Sequence, residues 1–144
     1  MKLLEFLKLV PVSGKNDYQK SFICDVYKDV VNVGITNDIN RVIKKQLKRY
    51  KVPEMQWEDY FVTDNATAAV VEIDIEDGCV LYLILRNDIA LDELVHECLH
   101  IAEKILWARD IFHSPATSEV WAYFIQYLFD AIIEIFNQIK DKIK

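Results

Sequence analysis

"ATAAVVEIDIEDGCVLYLILR", residues 66–86, decides the fold of this chain. In its first arm Val71, Ile73 and Ile75 alternate with Glu72 and Asp74, the period of a strand with one wet face. Its second arm, from Cys79 to Leu85, is apolar throughout, as a strand covered on both faces must be. Glu76 to Gly78 supply the turn between them, so the stretch reads as a hairpin whose second strand is buried.

Working outward, "FICDVYKDVVNVGI" from Phe22 to Ile35 is rich in β-branched and aromatic residues and reads as one or two strands. Thr36 to Asp38 then offer a helix N-cap, and Ile39, Val42, Ile43 and Leu47 follow at helical spacing. On the other side of the hairpin, Asn87 and Asp88 end the strand and are placed to cap a helix running to about Trp107. After a loop in which Ser114 and Thr117 are candidate caps and Pro115 suits a first helical turn, a last helix runs from about Pro115 towards the C-terminus.

With 144 residues the chain is expected to form one domain, 1–144. A hydrophobic share of 52% argues against disorder, and three Gly and three Pro against long irregular loops. The net charge of −6 opposes binding to phosphate backbones, so no nucleic-acid partner is expected. The six basic residues between Arg41 and Lys51 read as a solvated helix face, because no aromatic ladder accompanies them. Cys24, Cys79 and Cys98 form no CxxC pair and leave an odd count, which fits free thiols in a reducing setting. In "MKLLEFLKLVPVSG", Glu5 and Lys8 interrupt what would have to be the apolar run of a signal peptide, leaving a short amphipathic lead-in. Gln126, Asp130 and Glu134 likewise break the apolar C-terminal helix, so no membrane span is expected.

The helix after the hairpin, "ALDELVHECLHIAEKIL", carries His96, Glu97 and His100 in the pattern H-E-x-x-H. Composition alone would produce that pattern about 0.004 times in such a chain. Residues four apart on a helix differ by about 40° in azimuth and 6 Å in rise, so both imidazoles can converge on one ion. Zinc suits paired histidine nitrogens. Glu97, about 100° round from His96, reaches a water on that ion rather than the ion itself, the place of a general base. The plainer reading is an amphipathic helix with Leu91, Leu94, Val95, Leu99 and Ile101 as core contacts. Cys98, about 200° from His96, is expected to pack inward.

A catalytic zinc normally takes three protein ligands. A histidine six residues past the second one is excluded, since Leu106 stands there. Glu103, Asp110, His113 and Glu119 remain. Glu103 shares the helical stripe but lies one turn too far along, and Asp110 fits a turn or a partner to a histidine better. His113 is a ligand candidate that could equally steady an oxyanion. Glu119, in the first turn of the last helix, can face back across an antiparallel neighbour and is the carboxylate expected to complete the site.

The run "VLYLILR", then "LDELVHECLHIAEKIL", then "SEVWAYFIQYLF" resembles the compact gluzincin core. The spacing of Glu119, Ala122 and Tyr123 is similar to that of small phage- and prophage-encoded zincin-like metallopeptidases, and more distantly to the ImmA/IrrE group. The resemblance covers Val80 to about Phe129. It implies an α+β fold, with a small mixed or antiparallel sheet packed against the HExxH helix and a long C-terminal helix. It also implies His96, His100 and Glu119 as zinc ligands, Glu97 as catalytic base, a peptide or protein substrate, and a cytoplasmic setting in a bacterial host or a place in the virion. Tyr123 and His113 are the candidates for steadying the oxyanion.

Catalysis does not account for the last helix as a whole. Glu119, Gln126, Asp130, Glu134, Asn137 and Asp141 fall in one narrow stripe, with apolar residues around the rest. So much apolar circumference must thread the core or meet a partner, a second copy included. The competing expectation is therefore a structural or interaction protein that keeps a zincin fold, with or without metal.

Overall fold

A computed structural model of the chain describes residues 4–6, 10–11, 17–24, 27, 29–76 and 78–139. Its elements, in chain order, are β1 (Leu4–Phe6), β2 (Val10–Pro11), β3 (Tyr18–Cys24), β4 (Val30–Thr36), α1 (Ile39–Arg49), a 3₁₀ turn (Glu54–Asp59), β5 (Ala68–Ile75), β6 (Gly78–Arg86), α2 (Leu91–Trp107) and α3 (Ser118–Ile139). The architecture is α+β with a mixed sheet, as the sequence led us to expect.

The sheet runs β1-β3-β4-β6-β5, with β2 also pairing β3. Among the described strands only β4 and β6 pair in parallel, in the register Val33 opposite Leu83. The hairpin closes with Ile75 opposite Gly78. Gly78 has φ +140°, a backbone conformation that a side chain would strain.

The apolar run of β6 is explained by its position between β4 and β5, with structure on both faces. Leu81, Leu83 and Leu85 join Val31, Val33 and Ile35 of β4 in the larger core, against α2 and α3. Tyr82 and Ile84 point the other way, into a second core with Val71 and Ile73 of β5 and Ile39, Val42, Ile43 and Leu47 of α1. The sheet is thus sandwiched between one helix and a helix pair. β5 forms its edge on the side of α2.

Asp38 caps α1 by accepting from the Arg41 backbone N–H at 3.2 Å. Arg41 itself turns back to the fully buried Asp17, with Nε to Oδ2 at 2.8 Å and Nη2 to Oδ1 at 2.6 Å. That bidentate pair fixes the start of β3 to α1. Lys44, Lys45, Lys48 and Arg49 lie on the exposed face of α1.

Two expected caps differ. Asn87 and Asp88 do not cap α2: Asp88 is drawn to Arg86, with Nε to Oδ1 at 2.7 Å, and the helix starts after Ala90. There Glu93 reaches back to the Ala90 N–H at 3.1 Å, one half of a capping box. The last helix begins at Ser118 rather than Pro115, directly after Thr117, whose carbonyl accepts from the Trp121 N–H at 3.1 Å; the Thr117 hydroxyl is spent on the loop, donating to the Phe112 carbonyl at 2.5 Å and accepting from the Ser114 N–H at 3.0 Å.

Leu4–Phe6 and Val10–Pro11 of the N-terminal lead-in pair with β3; the rest of that lead-in and Asp141 lie outside the described residues. Trp121, Phe124, Leu128, Ala131, Ile132 and Ile135 of α3 are buried, so much of its apolar circumference does thread the core. Among the described residues, no helix is long and apolar enough to cross a membrane.

Candidate metal centre

The core-facing stripe of α2 is Leu94, Cys98, Ile101, Ala102 and Ile105. At 100° per residue this stripe is centred opposite His96. Leu91, Val95 and Leu99, which a plain amphipathic reading would bury, are exposed instead. The histidines therefore stand on the outer face because the core takes the other side. Cys98 packs inward as expected, and burial pushes its thiol up to about 12.

On that outer face the Nε2 atoms of His96 and His100 lie 3.0 Å apart, and their rings meet edge to face with centroids 4.7 Å apart. His100 Nδ1 is held by Glu103 Oε1 at 3.0 Å. A carboxylate accepting from Nδ1–H leaves the Nε2 lone pair free for an ion and orients the ring. His96, Glu97 and His100 bring their candidate ligand atoms within 4.8 Å of one another.

Glu97 is the electrostatically unusual member. Its Oε2 is buried without a hydrogen-bond partner among the described residues. Burial pushes its carboxyl up from the ordinary 4.5, the two histidines pull it down, and Glu93 adds to the rise. An orphaned carboxylate oxygen beside two convergent imidazoles is a costly arrangement for packing alone.

These residues fit a zinc ion. Two ligands about 2.0–2.1 Å from a tetrahedral centre stand roughly 3.3 Å apart, close to the spacing of the two Nε2 atoms. The third ligand is not assembled with them: Glu119 is exposed in the first turn of α3, outside the His96, Glu97 and His100 group. Glu103, set aside as a ligand for lying too far along the helix, is the residue that orients His100, the task considered for Asp110. Asp110 sits in the turn after α2 with φ 58°.

Two grooves flank the pair. One, of about 450 Å³, lies between the β5 edge and the first half of α2, lined by Thr67, Ala68, Asp92, Glu93, His96 and Glu97. Glu93 is tied across it by the Thr67 hydroxyl at 2.6 Å. The other, of about 690 Å³, lies between α2 and α3 and includes Glu103, Trp107, His113 and Trp121. His113 stands edge-on to Trp121 with centroids 5.8 Å apart, on the Glu103 side of the site. Tyr123 instead lines a third groove with Tyr27 and Tyr127, away from those containing His96, Glu97 and His113.

Sequence reasoning missed Glu103 as the orienting group and Glu93 as the tie to the edge strand. Their spacings, three after His100 and three after Ala90, were legible signals.

Comparison with protein-family models, with curated proteins and with solved structures gave no match.

Proposed function

We propose that the chain is a zinc-dependent metallopeptidase. The observation that carries this reading is the coincidence of two Nε2 atoms 3.0 Å apart with a buried, partnerless Glu97 oxygen beside them.

His96 and His100 would hold the ion. Glu119 is proposed as third ligand on its sequence spacing and its place on the helix packed against α2. Zinc held there would supply Lewis-acid polarisation of a carbonyl and an acidified water near neutral pH. Glu97 would take the proton from the attacking water and return it to the leaving amine as the C–N bond breaks, and its burial raises its affinity for the proton it would carry. Glu103 keeps His100 in the tautomer with Nε2 free. The open edge of β5 beside the His96 groove offers backbone groups to an extended peptide. Of the two candidates for steadying the oxyanion, His113 shares a groove with Glu103, the partner of His100, whereas Tyr123 lines a different one.

The second reading, an interaction protein that keeps the site without catalysis, is favoured by the exposed aromatic surface around Tyr123. A Glu97→Gln variant separates the two. With the zinc-loaded protein and a mixture of unstructured polypeptides, a peptidase loses about 10²–10⁴-fold in rate while keeping its metal. Zinc-loaded wild type that cleaves no faster than the variant would leave the second reading.

A further inference from the structure

The groove around Tyr123 is independent of the metal site, and its chemistry is specific. Val120, Tyr123, Tyr127 and Asp130 follow one another on a single stripe of α3 at helical spacing. Tyr27, in the connection between β3 and β4, completes a groove of about 500 Å³ with them. Its ring meets Phe124 at 85° with centroids 5.2 Å apart, while Phe124 and Tyr127 stack at 14° and 5.9 Å. The walls are therefore aromatic planes in two nearly perpendicular orientations. Tyr123 is 68% exposed.

Aromatic faces carry negative potential and attract cations. This surface already shows that preference once: the Arg109 guanidinium sits 4.8 Å from the Tyr27 ring centroid. Arg109 is matched by its ion pair with Asp29, so it does not neutralise the groove. Asp130, at the other end, has no ion pair or hydrogen bond among the described residues. Three tyrosines and an unmatched carboxylate on a chain of net charge −6 complement a cation with an apolar stem. The stripe from Val120 to Asp130 spans about 15 Å, longer than a small ammonium ion needs.

We infer that the groove of Tyr27, Tyr123, Tyr127 and Asp130 binds a lysine side chain of a polypeptide partner, its stem along the tyrosines and its ammonium towards Asp130.

The test uses the full chain and three probes: an acetylated, amidated Gly-Lys-Gly tripeptide, the same tripeptide with norleucine for lysine, and methylammonium. Binding is read from tyrosine ring signals by NMR and from calorimetry. Saturable binding of the lysine peptide is expected, with norleucine and methylammonium each about tenfold weaker. Asp130→Asn and Tyr123→Ala should each weaken the lysine peptide severalfold, with unchanged circular dichroism. Equal binding of the lysine and norleucine peptides would overturn the inference by making the groove merely apolar. Equal binding of methylammonium and the lysine peptide would overturn the polypeptide partner, and no saturation by the lysine peptide at tens of millimolar would overturn the site.

Discussion

Glu103 Oε1 accepts from His100 Nδ1 at 3.0 Å, across the same ring from the Nε2 that faces His96 at 3.0 Å. The ring is thereby fixed before any ion arrives, which removes part of the ordering cost of binding.

Glu103→Ala should therefore weaken zinc binding about 10–100-fold without unfolding the chain. Competition titration against a chromophoric chelator measures it. Unchanged affinity would mean that Glu103 is a surface partner only.

Glu93 joins the start of α2 to the edge strand through Thr67 and the Ala90 N–H. The Thr67 hydrogen bond, then the Ala90 backbone, hold its carboxyl below the ordinary 4.5. A depressed carboxylate stabilises the fold above its unfolded pKa, and that contribution is lost as pH falls through the folded value. Glu93→Ala should lower the melting temperature at pH 7, and the difference from wild type should close as pH drops below 4.5. A difference that persists at pH 2 would locate its role in packing.

Burial holds the Cys24 thiol at about 12, as it does Cys98, whereas Cys79 is exposed. At pH 8 iodoacetamide should label one cysteine in the native chain and three in denaturant. Even Cys79 should react slowly, since partial desolvation and then Glu72 raise its pKa. Mass spectrometry counts the labels.

Leu83 is fully buried in the strand between β4 and β5. Leu83→Ala should cost about 2–5 kcal/mol, read from urea unfolding. A smaller loss would mean that the layers around β6 collapse to fill the space.

The hairpin, the helix beyond it and the HExxH face were legible because each is a local pattern: two-residue alternation, an unbroken apolar run, and histidines opposite a core stripe. What the sequence concealed depends on competition between partners. Asp88 has the chemistry of a cap, yet Arg86 two residues away binds it first. Thr117 has a capping hydroxyl, but the loop consumes it. The pairing of β4 with β6 is parallel and sets Val31 opposite Leu81, far along the chain, a relation no local period can encode. Tyr123 is a candidate for the oxyanion by its place in the sequence, whereas the helix turns it to a groove other than the one lined by His96 and Glu97.

The most direct test of the metal centre is zinc per chain, by elemental analysis after mild purification, for wild type, His100→Ala and Glu119→Ala. About one zinc is expected in wild type, lost or strongly weakened in both variants. Little zinc in wild type even after reconstitution would contradict the centre itself, and full zinc in Glu119→Ala would contradict the third ligand.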